Sequence, residues 1–270
     1  MSAPPEIVVV GWGAVGEATA RVLEATLRIE VGRHDPPQGF DLSAVSGPRV
    51  RDVLFCLPTP GTTDSTPEPL DCSLVEAALR EWAERCPEAR LVVRSTVPPD
   101  FWARLPWPLR QRCVHWPCFA EHWRLEEFET RPPFVVVGSD PEGNQGLCRE
   151  FICAMWGVKL PVFVGCSLTC ASWIKLSTNA LYAANVVLAN ELAALGASYG
   201  VEWDEVRKAL DANPRLGDTF AVSPAGGYGG VCLTKDVGHV ARLADERAAG
   251  HIGLLRFLGL ANEECRRHAG

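Results

Sequence analysis

A short apolar run, Glu6 to Val10, passes directly into Gly11-Trp12-Gly13-Ala14-Val15-Gly16, and a helical pattern through Ala18, Val22 and Leu23 follows. Glycine at three fixed positions between a strand and a helix constrains a chain strongly. The first permits a tight turn, the second lets backbone approach a pyrophosphate, and the third lets helix and strand pack closely, while the helix N-terminus favours negative charge. Leu27 to Gly32 reads as a second strand, so the segment is a βαβ unit. Asp35 follows at the end of that strand, where a carboxylate accepts hydrogen bonds from an adenosine ribose. Together these features predict a dinucleotide site. Asp35 favours NAD over NADP, because a carboxylate repels a 2′-phosphate; Arg33 and His34 keep the other reading open, since either could meet that phosphate. Asp35 could also be a simple turn cap, and Trp12 either packs over the cofactor or covers its own loop.

Further strands are expected at Asp52 to Leu57, Arg90 to Arg94, Cys113 to Trp116, Phe134 to Gly138 and Val158 to Val164, with helices at Ser73 to Arg85 and Asn144 to Trp156. Such alternation implies a Rossmann-type, mostly parallel, doubly wound α/β sheet. After Gly165 the pattern changes. Ser167 to Tyr199 reads as one long helix, and Asp204 to Ala212, Asp236 to Arg247 and Ile252 to Arg267 are further helical segments. The expected division is a NAD-binding domain over 1–165 and an all-α domain over 166–270. Hydrophobic residues make up 47% of the 270 and charged residues 22%, which suits a globular fold. A net charge of -7 offers no footprint for nucleic acid or anionic lipid. The N-terminus lacks a signal-peptide pattern and no apolar run is read as a membrane span, so a cytoplasmic location is expected. The eleven cysteines are expected to be mostly buried thiols, and spacings such as Cys166 to Cys170 lack the partners of a metal site.

The second half carries Gly226-Gly227-Tyr228-Gly229-Gly230-Val231-Cys232-Leu233-Thr234-Lys235-Asp236. A cysteine beside a glycine-rich loop and a helix start sits where backbone N–H groups favour the thiolate, the nucleophilic form. Upstream, Lys175 and Asn179 are four residues apart on the long helix and share one face; by themselves they would read as a solvated surface. The stretch Trp173 to Leu195, then Pro214-Arg215-Leu216-Gly217, then the glycine-rich segment with its cysteine closely resembles the central region of the UDP-glucose/GDP-mannose dehydrogenase family. Cys56-Leu57-Pro58-Thr59-Pro60 and Arg94-Ser95-Thr96-Val97-Pro98-Pro99 resemble that family's two cofactor-lining loops.

The resemblance implies oxidation of a primary alcohol or aldehyde to a carboxylate, with Cys232 holding a thiohemiacetal and then a thioester. By the same resemblance, Lys175 and Asn179 stabilise charge on the oxygen, Asp236 assists proton transfer through water, and Thr96 lies near the reacting carbon. Gly11 to Gly16, Asp35, Leu57, Pro58, Thr59, Ser95 and Thr96 would bind NAD, while Cys118, Phe119, Glu121, Arg215, Tyr228 and Gly229 would join Lys175 and Asn179 around the substrate. Arg215 matches an arginine that reaches a neighbouring subunit, implying a homodimer on the long helix.

Two departures stand out. Where the family has Pro-Glu-Phe, with a glutamate that positions the hydrolytic water, this chain has Pro117-Cys118-Phe119, with Glu121 and His122 as possible substitutes. By the same resemblance the family's third domain would begin just after Gly270, so it is not expected within these 270 residues, and Phe220 to Ala225 holds no lysine or arginine for a diphosphate. A nucleotide-sugar substrate is therefore the weaker expectation, and a smaller alcohol or aldehyde, or a substrate completed by a partner chain, stands beside it. The alternatives are a two-electron alcohol or hydroxy-acid dehydrogenase, in which Cys232 is a bystander, and a NAD-binding protein without catalysis. His239 is expected on a helix surface, and Trp173 and Tyr182 as core or dimer contacts.

Overall fold

The computed structural model describes residues 5–43, 45–61, 70–120, 124–140, 152, 162–214, 226–247 and 253–268. Contacts divide the chain into two compact units, one of residues 1–59 with 72–175 and one of 60–71 with 176–270. Composition changes at Gly165, whereas the units part within a helix, between Lys175 and Leu176.

The first unit is a seven-stranded Rossmann-type sheet. Its strands are β1 (Ile7–Val10), β2 (Val31–His34), β3 (Asp52–Phe55), β4 (Arg90–Val93), β5 (Cys113–His115), β6 (Val135–Ser139) and β7 (Phe163–Cys166), in the order β2-β1-β3-β4-β5-β6-β7. Every pairing is parallel except β5 with β6. β1 and β3 are buried along their whole length, as apolar strands covered on both faces must be. Strand order reverses between β1 and β3, and in open α/β sheets a crevice forms outside the carboxyl ends at such a point. The loops from Gly11 and from Cys56 leave the strands there.

Helix α1 (Ala14–Leu27) buries Thr19, Ala20, Val22 and Leu23. It runs further than the sequence pattern indicated, so β2 begins at Val31 rather than Leu27. Arg28, not a glycine, adopts the left-handed conformation that ends the helix, at φ 53°. α2 (Ser73–Arg85) matches expectation, while α3 (Phe101–Arg104), α4 (Trp107–Arg110) and α5 (Leu125–Thr130) are too short to carry a periodic signal. The expected helix at Asn144 to Trp156 lies outside the described residues apart from Ile152.

α6 (Leu168–Ala197) starts in the sheet unit and ends in the helical one, which also holds α7 (Trp203–Asp211), α8 (Gly230–Arg247) and α9 (Gly253–His268). Among the described residues α6 alone is long and apolar enough, by length and composition, to cross a membrane, which amends the reading of the apolar runs. Its polar residues Lys175, Asn179 and Asn190 are buried within the chain. In the helical unit Ala183, Val187, Tyr228, Val237 and Leu258 form the core.

Candidate functional site

The three glycines of the first loop differ physically. Gly11 has φ +93°, and a Cβ there would sit 2.5 Å from the Cys56 carbonyl oxygen; at Gly16 a Cβ would strike the Gly11 carbonyl. Those two are glycine because the strand, turn and helix pack onto one another. A Cβ on Gly13 would meet no atom of the chain within 4 Å. Gly13 caps α1 without a side-chain bond, ahead of Ala14, Val15 and Gly16 in the first turn. First-turn N–H groups have no intrahelical acceptor, so a bare, open N-terminus suits a phosphate.

Asp35 accepts a hydrogen bond from the Trp12 N–H at 2.7 Å through Oδ2, and Gln38 Nε2 donates to the same oxygen at 3.2 Å. It precedes a short turn of 3-10 helix but forms no side-chain cap there, which removes the turn-cap reading. Trp12 packs against Phe40, centroids 5.5 Å apart, with the Arg33 guanidinium 4.7 Å from its ring. Arg33 also pairs with Glu24. His34 points inward: it is buried, its Nδ1 accepts the Leu42 N–H at 3.1 Å, and burial lowers its pKa. A neutral, acceptor-bearing imidazole of this kind is a poor phosphate ligand.

The loops after β3 and β4 are locked together. Ser95 Oγ accepts the Leu57 N–H at 2.9 Å and donates to the Leu57 carbonyl at 2.7 Å. Pro58 is exposed, Thr59 buried and Thr96 half-buried. His115 supports this loop from below, its Nε2 3.2 Å from the Ser95 carbonyl. Its Nδ1 lies 3.1 Å from Ser172 Oγ, which in turn accepts the Trp102 indole N–H at 2.9 Å. Burial depresses the His115 pKa to about 4.

Beside these loops lies a buried ion pair that the sequence did not reveal. Arg94 donates bidentately to Glu129, at 2.9 and 2.6 Å, and stacks 3.8 Å from the centre of the Trp116 ring. Burial opposes the Arg94 charge, but Glu129 outweighs it and keeps the guanidinium protonated. Cys118, in place of the family's glutamate, donates its S–H to Glu129 Oε1 at 3.5 Å, and burial raises its pKa. It is therefore a neutral donor on a spoken-for carboxylate. Phe119 carries the Lys175 ammonium 5.4 Å from its ring centre. Glu121, His122 and Arg215 lie outside the described residues.

In the helical unit Cys232 is exposed in the first turn of α8, which begins at Gly230, earlier than the glycines suggested. One turn on, the buried Asp236 accepts the Asn179 amide N–H at 2.6 Å through Oδ2 and the Lys235 ammonium at 2.7 Å through Oδ1. α6 and α8 thus converge on one carboxylate, with the thiol four residues before it. His239 is not on a surface: it is 1% exposed, and its Nδ1 accepts the Leu70 N–H at 3.3 Å. Tyr228 is also buried, and desolvation pushes its phenol up to about 12, so its ring serves the core and not a substrate; Gly229 beside it is exposed. Trp173 and Tyr182 are exposed, which excludes a core role. Among the described residues no three His, Cys, Asp or Glu side chains converge as metal ligands.

Comparison with known proteins agrees with this geometry. Residues 169–263 match the model of the UDP-glucose/GDP-mannose dehydrogenase family, central domain. The UDP-glucose 6-dehydrogenase of Rickettsia conorii is 26% identical over 54% of this chain and 34% of its own length. UDP-glucose 6-dehydrogenase AglM of Haloferax volcanii is 25% identical over 74% of this chain and 49% of its own. The chain thus spans half or less of these relatives. Among solved structures, the UDP-D-ManNAc dehydrogenase of Pyrococcus horikoshii has a TM-score of 0.77 at 21% identity, covering 96% of this chain and 68% of that one. The 3-hydroxyisobutyrate dehydrogenase of Mycobacterium tuberculosis, at 13% identity and TM-score 0.67, shares the fold over 99% of this chain and 96% of its own. Over residues 169–263, from the long helix to the helix that follows the cysteine-bearing one, the chain matches the central domain of the UDP-glucose/GDP-mannose dehydrogenase family, and its relatives extend that likeness into the sheet unit.

Proposed function

We propose that the protein oxidises a primary alcohol or aldehyde of a sugar nucleotide, or of a smaller alcohol, to the carboxylate through Cys232. The observation that carries the reading is the buried Asn179–Asp236 pair, joined by Lys235, one helical turn from an exposed thiol. The glycine loop fits NAD, since Gly13 leaves space that no part of the chain fills, and we assign the ribose to Asp35, the carboxylate that accepts the Trp12 N–H of that loop. Gly11 to Gly16, Leu57, Pro58, Thr59, Ser95 and Thr96 would line it. NAD, when bound, supplies the hydride acceptor.

The residues divide the work as follows. Cys232 sulfur adds to the aldehyde carbon and forms a thiohemiacetal; loss of hydride from that carbon leaves a thioester; water then adds, the C–S bond breaks, and the acid leaves with the thiol restored. Lys175 and Asn179 share a face of α6 and offer N–H donors to the developing oxyanion. Both Asp236 oxygens are engaged, so it orients Asn179 and Lys235. Cys118, with its carboxylate partner already bidentate to Arg94, does not supply a base for the water step, and we assign hydrolysis as the slowest stage. Free thiols throughout the described residues accord with a reducing, cytoplasmic setting.

The test counts NADH released per substrate consumed, across primary alcohols, sugars and sugar nucleotides. Two equivalents are expected, with Cys232→Ala lowering acid formation on the order of a thousandfold. One equivalent with Cys232→Ala fully active would instead establish a two-electron dehydrogenase, a reading favoured by the fold match over nearly all of the 3-hydroxyisobutyrate dehydrogenase chain.

A further inference from the structure

We infer that Asn262, on the last helix, is the positioning residue that sets the glycine-rich loop in front of Cys232. Its carboxamide grips both backbone polar groups of one loop residue. Oδ1 accepts the Tyr228 N–H at 2.7 Å, and Nδ2 donates to the Tyr228 carbonyl at 3.1 Å. A neighbouring strand would satisfy a backbone in this way; here one helical side chain does it, in a buried place. An unmade bond in such a place is costly, so the clamp fixes the loop strongly.

The surrounding sequence follows from the clamp. Gly227 must be glycine because a Cβ would collide with Asn262 Oδ1 and lie 3.1 Å from Arg266 Cγ. Tyr228 is anchored twice, by its backbone on Asn262 and by its ring in the core with Val187, Val237 and Leu258. Gly226 and Gly230, at φ +76° and +78°, provide the left-handed turns on either side. Gly229 remains exposed, with nothing within 4 Å of a built Cβ. The described part of the loop is thus held at Gly227 and Tyr228 and bare from Gly229, and α8 with Cys232 starts immediately afterwards. Asn262 touches neither thiol nor substrate; it acts through the backbone it holds.

The catalytic consequence rests on Cys232 being the reacting thiol, as proposed above, but the clamp can be tested without turnover. On the full chain, amide hydrogen exchange over 226–232 is measured together with iodoacetamide labelling of Cys232, resolved by peptide mass and divided by labelling of the exposed Cys170 in the other unit. In the unaltered protein the Tyr228 amide is expected to be protected; exchange at the rate of a free amide would overturn the clamp with no variant needed. Asn262→Ala is expected to speed Tyr228 exchange at least about tenfold and to lower the Cys232-to-Cys170 labelling ratio about threefold. Asn262→Asp, which keeps the acceptor for the 2.7 Å bond but sets a second oxygen against the Tyr228 carbonyl, should rescue both only in part. A folded Asn262→Ala protein, with Cys72 and Cys86 still unlabelled, that shows an unchanged ratio and unchanged exchange would sink the proposal. If the unaltered enzyme forms NADH, Asn262→Ala should reduce kcat with little change in the KM for NAD. If it forms none, the reaction assignment fails and the exchange and labelling results still judge the clamp.

Discussion

Gly13 separates two demands that Gly11 and Gly16 combine. Adding a methyl at Gly16 drives it into the Gly11 carbonyl, a backbone atom that cannot swing away, whereas at Gly13 it enters open space. Gly13→Ala should therefore leave the urea midpoint almost unmoved, a change of about 0.5 kcal/mol or less, while weakening NAD about tenfold or more by calorimetry. Gly16→Ala should lose both, with roughly 2 kcal/mol or more of stability gone. Equal losses from the two substitutions would remove the argument that Gly13 is bare for a ligand. At this scale the local structure was legible wherever spacing alone carries meaning: the strand, turn and helix of the three glycines, and the shared helix face of Lys175 and Asn179. It was illegible where meaning depends on burial. His34, His239 and Tyr228 have polar groups that suggested ligands or surface, yet each is turned into the chain. Glu129 and Asn262 gave no signal at all, because their partners Arg94 and Tyr228 lie 35 and 34 residues away along the chain.

Along α6 the exposed residues Leu181, Leu188, Leu192 and Leu195 recur at spacings of seven, four and three, one face of a helix. An apolar stripe of that length is a liability for a lone molecule. A homodimer built on this helix is the partner we propose for it. Leu188→Glu combined with Leu192→Glu should convert a dimer into a monomer by sedimentation velocity, and a wild-type monomer at micromolar concentration would refute the assembly. α6 was also the element best read from sequence, since thirty residues with no proline leave few alternatives. The short helices α3 to α5 escaped notice because four to six residues do not repeat the 3.6-residue period. The start of α8 was missed for another reason: glycines that usually mark a loop here form its first turn. α1 was cut short because its end is an arginine in a conformation usually reserved for glycine.

At the scale of the molecule, stability should carry the imprint of His115. Its network joins β5 to the β4 loop, α3 and the first turns of α6. Its pKa in the folded chain, about 4, lies below the ordinary 6.5, so the unfolded chain takes up the proton first. Stability present at pH 7 should accordingly fall as the pH drops through 6.5 towards 4, by on the order of 3 kcal/mol from this residue, and level off below. Urea titrations across that range should show the slope, and His115→Gln should flatten it; an equal slope in the variant would place the proton uptake elsewhere. The two-part architecture was readable from the shift between a sheet-forming and a helical pattern. That residues 60–71 belong with the helical unit was not, since nothing local marks a segment whose partners come so much later. Leu70 bonds to His239, 169 residues further on. During synthesis the ribosome therefore releases this piece of the helical unit long before the helices that receive it. It must wait until they arrive. A fragment made from Leu176 onward would lack Leu70 at His239, so the helical half should be hard to obtain by simply deleting what comes before it.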